Sequence, residues 1–335
     1  MTDFFSGKNV VITGANGFVG SWLTERLVER GAKVRALIRK DSVVGLRSIG
    51  HMESRPRVVY GDVRDAEVAK KLVAGSDIIF HLAAVTQVLY ASRNPVEAYE
   101  INAYGTLNLL EALRASKSDP FLVYMSTDKV YGEPKYLPID EDHQLAGKSP
   151  YDASKLAADR LVYAYYNTYG LKSSIVRCSN IIGGRDSNFL RIVPDIVSAV
   201  LNNSRPVIRG DGTQIRDYMH VHDAVSGLVA VAEKQRKSNG EAFNIGTETP
   251  TSVISITNRI ISIMGKQGIK PRIMNRNSAE EIDRQYLSYK KAARVLNWRP
   301  RYKLMEGLED AIKWYAKNLW WQKVISDVRA HYVKN

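Results

Sequence analysis

The segment that most constrains this chain is its first thirty residues. Asn9-Val10-Val11-Ile12-Thr13 is a short run with the apolar character of a buried strand. Thr13-Gly14-Ala15-Asn16-Gly17-Phe18-Val19-Gly20 follows it. An amphipathic pattern then predicts a helix from about Phe18 to Arg30, closed by Gly31. Gly14 permits the tight turn, Gly17 lets the backbone approach a pyrophosphate, and Gly20 lets the helix pack close on a sheet. Phosphates then lie at the positive end of the helix. Three glycines alone are a weak signal, but here the required strand precedes them and the required helix follows. The expected cofactor contacts in this loop are Gly14, Asn16, Gly17, Phe18, Val19 and Gly20.

The same alternation continues down the chain. Strands are expected at Lys33–Ile38, Val58–Tyr60, Asp77–Leu82, Phe121–Met125, Ser173–Cys178 and Ala242–Ile245. Helices are expected at Ala66–Val73, Pro95–Ser116, Tyr151–Tyr169 and Val225–Glu233. Such a rhythm implies an α/β fold, a Rossmann-type doubly wound parallel sheet with helices on both faces. From about Asn180 the rhythm breaks, with short strands such as Pro206–Arg209, which suggests a smaller mixed α/β substrate lobe. Helical stretches at Ser255–Gly265 and Tyr289–Leu296 are assigned to that lobe. The expected division is 1–178 plus about 214–247 for the dinucleotide, and about 179–213 plus 248–335 for the substrate.

Composition removes several other classes. A chain of 335 residues, 44% hydrophobic and 25% charged, is ordinary for a globular protein with a sizeable core. Its net charge of +13 invites a nucleic-acid reading. The Lys and Arg are spread along the chain without a nucleic-acid motif, so phosphate-bearing small molecules are the expected partners. The single cysteine, Cys178, excludes an intrachain disulfide and a thiolate metal site, and no metal is expected. The N-terminus reads as no signal peptide and no run spans a membrane, so a cytoplasmic location is expected. The aromatic stretch from Trp314 to Trp321 is expected to pack a C-terminal helix onto the body.

Tyr151-Asp152-Ala153-Ser154-Lys155 sets a phenol and an ammonium on one face of one helix. A nearby ammonium is expected to lower the phenol pKa towards neutrality. Such a tyrosine removes a proton from a sugar hydroxyl while hydride leaves the same carbon for a nicotinamide. The strand at Phe121–Met125 ends in Ser126-Thr127-Asp128-Lys129, at the carboxyl edge where α/β sites lie. Arg39 stands at the end of the second strand, where an acid would signal NAD; a guanidinium suits a 2′-phosphate, which tilts the cofactor to NADP over NAD. His220 and His222 flank a strand more readily than they bind a metal.

In its G-x-x-G-x-x-G spacing the loop at 14–20 resembles the short-chain dehydrogenase/reductase superfamily, extended type. Asp62 and Val63 resemble that family's adenine contact, Leu82, Ala83 and Ala84 its loop along the cofactor, and Asn102 its structural helix asparagine. The stretch from Thr127 to Lys155 resembles the nucleotide-sugar epimerases and dehydratases, and the likeness covers nearly the whole chain. It implies Thr127, Tyr151 and Lys155 as the oxidising set, with Tyr151 and Lys155 also touching the cofactor. The pair Asp128-Lys129 resembles CDP-glucose 4,6-dehydratases, a step in deoxysugar synthesis, and one group of UDP-N-acetylglucosamine dehydratases. There the resemblance implies that Asp128 protonates the departing C6 hydroxyl and Lys129 assists removal of the C5 proton, with the nicotinamide tightly held and recycled. An NAD-dependent 4-epimerase is the rival, and a cofactor-binding regulator without catalysis stands outside both.

Residues 177–184 resemble the family segment beside sugar and diphosphate, with Asn180 the diphosphate contact; Gly210 to Tyr218 resembles its phosphate-arginine segment, with Arg216 the clamp. Thr86, Arg191 and Arg209 complete the expected substrate contacts. Gln285 to Pro300 resembles a C-terminal signature, with Trp298 as core. The helices near 95–116 and 151–169 resemble the pair that forms the family's homodimer.

Overall fold

The computed structural model describes residues 2–52, 54–276 and 282–334, with side chains as far as His331. The strands are β1 (Asn9–Thr13), β2 (Lys33–Ile38), β3 (Arg57–Tyr60), β4 (Ile78–His81), β5 (Phe121–Thr127), β6 (Ser173–Cys178), β7 (Asn180–Ile182), β8 (Val207–Ile208), β9 (Ile215–His220), β10 (Ala242–Ile245), β11 (Pro250–Ser252), β12 (Arg272–Ile273) and β13 (Arg284–Gln285). The helices are α1 (Phe18–Glu29), α2 (Ala66–Val73), α3 (Val88–Arg93), α4 (Pro95–Tyr99), α5 (Gly105–Arg114), α6 (Pro150–Tyr169), α7 (Ile192–Leu201), α8 (Val221–Glu233), α9 (Gln235–Ser238), α10 (Val253–Ile263), α11 (Lys290–Leu296), α12 (Leu304–Lys317) and α13 (Trp321–Lys334).

Seven strands form one parallel sheet in the order β10-β6-β5-β4-β1-β2-β3. The order reverses beside β1, which opens a crevice at the carboxyl ends of β1 and β4. Strand alternation splits the apolar residues between two layers. Val10 and Ile12 join Leu23, Leu27, Leu228 and Phe243 under α1 and α8, while Val11 joins Leu109, Leu122 and Val162 under α5 and α6. This is the doubly wound α/β sheet the sequence implies.

Several elements differ from the expectation. The helix predicted over 95–116 is three pieces: α4, a π-helical turn at Glu100–Tyr104, and α5. The turn places Asn102 inward, where its amide pairs with the backbone of Val85 and with Ser154 Oγ on α6. Such π-turns recur at functional sites. Strand β9 lies outside the large sheet; β7, β11 and β13 flank it in a smaller one. Helix α8 starts at Val221, four residues before its apolar pattern becomes regular. The stretch at 289–296 packs on the large sheet: Ala292 and Leu296 share the Phe243 layer, and Lys291 Nζ sits over that ring, 5.2 Å from its centroid.

The smaller part has its own core of Val193, Val197, Ile256, Ile260, Leu308 and Tyr315. Trp321 is fully buried there and Trp314 packs on it edge to face at 5.4 Å, so most of the C-terminal aromatic stretch is interior; Trp320 stays half exposed. Among the described residues no helix is long and apolar enough to cross a membrane.

Candidate active site

Helix α6 carries Tyr151 and Lys155, and its start is fixed twice. Ser149 and Asp152 form a reciprocal capping box with Pro150 in the first turn. Asn102 then holds Ser154 from the neighbouring helix. Both reactive residues are buried against the end of β5.

Their charge states depart from the simple expectation of an ammonium-lowered phenol. Burial pushes the Tyr151 phenol up to about 12, against the opposing pull of the Arg191 charge and a hydrogen bond with Thr127. Burial draws the Lys155 ammonium down to about 7, with Asp159 resisting the fall. Lys155 Nζ donates to Met125 O at 2.7 Å and lies 4.4 Å from the centre of the Tyr124 ring. Desolvation therefore outweighs the interaction inferred from spacing four on a helix.

Beyond β5 the chain turns through a 3-10 segment, Asp128–Tyr131, capped by Thr127 Oγ1, which accepts from the Lys129 N–H at 3.3 Å. The same hydroxyl donates to Asp128 Oδ1 at 3.1 Å. Asp128 Oδ2 is buried without a hydrogen-bond partner. Burial raises the Asp128 carboxyl, while Lys129, Thr127 and Arg216 offset part of the rise. Lys129 Nζ donates to Gln285 Oε1 at 2.8 Å, and Gln285 Nε2 donates back to Asp128 O at 2.9 Å.

A buried strut joins these two halves. Arg177 on β6 grips Asp159 of α6 with Nε at 3.0 Å and a terminal nitrogen at 2.8 Å. Its other terminal nitrogen donates to Tyr131 Oη at 2.9 Å, and Tyr131 donates to Asn244 Oδ1 of β10. Asp159 lies one helical turn beyond Lys155, and Tyr131 ends the turn that bears Asp128 and Lys129. Cys178 is core, its thiol pushed up to about 12 by burial.

The glycine loop fits a dinucleotide. A side chain at Gly14 would meet Ala83 N at 2.9 Å, and one at Gly20 would drive into Gly14 O. At Gly17 it would meet only Gly14 O, at 3.2 Å, so its outer side is open to an approaching phosphate. Gly17 caps α1 without a side-chain hydrogen bond, so the first-turn N–H groups of Phe18, Val19 and Gly20 face the crevice. Thr13 Oγ1 receives the N–H groups of Leu82 and Ala83 at 3.1 Å and fixes the opposite wall, which continues to Ala84. Asn16 ties the loop to Ser42 Oγ and Gly45 O. Arg39 and Asp41 pair at 3.4 Å at the end of β2. Asp62 is held by Arg64 at 2.9 Å, while the Val63 side chain is core beneath Gly105 and its carbonyl accepts from Asn108 Nδ2 at 3.1 Å.

The expected substrate residues disperse more. Asn180 Nδ2 is buried and unpaired. Arg216 is buried on β9, with one terminal nitrogen on Ile215 O at 2.8 Å and Asp283 O at 3.2 Å. Arg191 caps α7, pairs with Asp186 at 3.3 Å, and acts on Tyr151. Thr86 is exposed after β4; Arg209 is exposed and its charge acts on Asp195 of α7. His220 pairs with Asp310 at 3.1 Å and stacks on Tyr302 at 4.2 Å. Sequence reading missed Gln285 as a site residue and missed the Arg177–Asp159–Tyr131 strut. Their partners lie far away in the chain and no spacing links them.

Known proteins resemble this chain over nearly its whole length. A dTDP-glucose 4,6-dehydratase of Streptomyces antibioticus is 34% identical over 94% of this chain and 94% of its own. A CDP-glucose 4,6-dehydratase of Salmonella typhimurium is 30% identical over 93% and 92%. The solved dTDP-glucose 4,6-dehydratase of Streptomyces venezuelae, with NAD bound, superposes with a TM-score of 0.88 at 27% identity, over 95% of this chain and 99% of that one. A UDP-glucose 4-epimerase of Thermotoga maritima, solved with UDP-glucose, gives 0.86 at 27%, over 93% and 99%. The family described as GDP-mannose 4,6 dehydratase matches residues 11–311, from β1 through the glycine loop, Thr127, Tyr151 and Lys155 into α12, and this chain belongs to it.

Proposed function

We propose that the protein is a nucleoside-diphosphate-hexose 4,6-dehydratase that yields a 4-keto-6-deoxy sugar. One observation carries this reading: Asp128 is fully buried, its carboxyl is raised, and one of its oxygens is unpaired beside Thr127. A group that protonates a departing hydroxyl must keep its proton near neutral pH. Epimerisation at C4 needs no such acid.

The nicotinamide, when bound, supplies a hydride acceptor for C4, a donor for C6, and a positive charge beside the phenol. Gly14, Gly17, Gly20 and the wall at 82–84 would hold it. Tyr151 takes the C4 hydroxyl proton, helped by Thr127 and the Arg191 charge. Lys129 takes the C5 proton and later returns it to C5. Asp128 gives its proton to the C6 hydroxyl, which leaves as water. Tyr151 gains one proton and Asp128 loses one; passage of a proton from Tyr151 through Thr127, which bonds to both, to Asp128 restores the two groups, and the net change is loss of one water from the substrate.

The pair Asp128-Lys129 favours a CDP-glucose-like substrate, with UDP-N-acetylglucosamine next. Arg39 at the end of β2 favours NADP over NAD. Asn180 and Arg216 hold the diphosphate, with Thr86, Arg191 and Arg209 around the sugar and nucleotide. The dinucleotide part comprises 1–178 and the α8–β10 return; β9 joins the substrate part. The buried thiol Cys178 suits a reducing cytoplasm. A homodimer through α4–α5 and α6 is supported by an apolar groove of about 720 Å³ lined by Pro95, Val96, Tyr99, Tyr104, Leu107 and Leu161. A 4-epimerase is the second reading, favoured by the likeness to the Thermotoga enzyme.

The test is incubation of purified holoenzyme with CDP-, UDP-, GDP- and dTDP-hexoses. The expected 4-keto-6-deoxy product absorbs near-ultraviolet light in alkali. Only C4 epimer from every substrate would overturn the proposal.

A further inference from the structure

The geometry points to Gln285 as the positioning residue for Lys129, the side chain that makes C5 deprotonation possible. This rests on the dehydratase reading and deepens it.

Gln285 is fully buried on β13, and both ends of its amide are engaged with the catalytic turn 156 and 157 residues earlier in the chain. Its Oε1 accepts from Lys129 Nζ at 2.8 Å and its Nε2 donates to Asp128 O at 2.9 Å. One planar amide therefore sets the ammonium and the backbone of the general acid in a fixed relation. A lysine side chain is long and flexible, and the Gln285 oxygen fixes one donor direction of its Nζ. An amide oxygen orients the ammonium by a hydrogen bond and adds no charge of its own. A carboxylate at the same place would hold the charged form.

The strand that carries Gln285 also links this clamp to the substrate. β13 runs parallel to β9 with Gln285 in register with Arg216. Arg216 is the proposed diphosphate clamp, so diphosphate binding and Lys129 placement meet on paired positions of one small sheet.

The test uses holoenzyme of wild type, Gln285→Met, Gln285→Glu, Lys129→Met and Lys129→Met/Gln285→Met. Three quantities are read in heavy water: C4 oxidation, as reduced cofactor absorbing near 340 nm after mixing; deuterium uptake at C5; and 4-keto-6-deoxy product. Gln285→Met keeps the volume, and it is expected to lower C5 exchange and product together by roughly 10- to 100-fold, with C4 oxidation within about twofold. Gln285→Glu, which keeps a polar partner in the core, is expected to show the same split. In the Lys129→Met background, Gln285→Met should add no further loss, because both act through one group.

Wild-type C5 exchange in either Gln285 variant overturns the assignment. So does equal loss of C4 oxidation and C5 exchange, or multiplied losses in the double variant. If wild type itself gives neither C5 exchange nor keto product from any sugar nucleotide, the dehydratase reading falls instead.

Discussion

Replacing Arg177 by methionine tests the strut that aligns the two proton-handling pairs. The guanidinium makes two hydrogen bonds to Asp159 and one to Tyr131, and the ion pair is buried, at 5% and 0% side-chain exposure. Methionine fills much of the space but leaves the Asp159 carboxylate with only Ser126 Oγ, at 2.8 Å. Breaking a buried pair from one side costs about 3–5 kcal/mol, because the stranded charge is uncompensated. Unfolding entropy for a chain of 335 residues is roughly 0.7 kcal/mol/K, so the melting temperature should fall by about 4–7 °C. The double variant Arg177→Met/Asp159→Leu removes the charge as well and should recover most of that loss. Scanning calorimetry of the purified variants measures both. A double variant as unstable as the single one, or a single variant melting within about 1 °C of wild type, would refute the argument that a stranded charge dominates. Asp159 also resists the fall of the Lys155 ammonium, so Asp159→Leu alone should lower that group further.

Four further outcomes are expected. Gly20→Ala forces a methyl into Gly14 O and should abolish copurified nicotinamide, read from the absorbance of the denatured supernatant, while Gly75→Ala at an open turn leaves it in place. Asp128→Asn should stabilise the fold near pH 7. The raised carboxyl binds its proton more tightly folded than unfolded, so wild-type stability falls as pH rises above 3.8 and the gap opens in that direction; urea titrations across pH check the sign. Val96→Asp, at a side chain 71% exposed beside the apolar groove, should shift a dimer towards monomer in sedimentation velocity. Arg39→Ala should weaken NADP more than NAD, by about tenfold in the ratio of dissociation constants from fluorescence titration.

What could be read from the sequence was local. Strand β1, the glycines and α1 are consecutive, and their periodicity and backbone demands leave one arrangement. Tyr151 and Lys155 share a helix face for the same reason, and Thr127, Asp128 and Lys129 follow a strand end where α/β sites open. Other features depended on packing between distant segments. The π-turn at Glu100–Tyr104 exists because Asn102 has to reach Val85 and Ser154, which no pattern within 95–116 encodes. The stretch at 289–296 carries an apolar face, and packing against Phe243 of β10 decides where it lies. Gln285 reads as a polar residue in a short strand, and only the register of β13 against β9 brings it to Lys129. Charge state was equally out of reach. Spacing four on a helix sets Tyr151 and Lys155 on one face, but their protonation is decided by burial, which pushes the phenol up to about 12 and the ammonium down to about 7. Desolvation is a property of everything packed around a group, and only the tertiary structure assembles it.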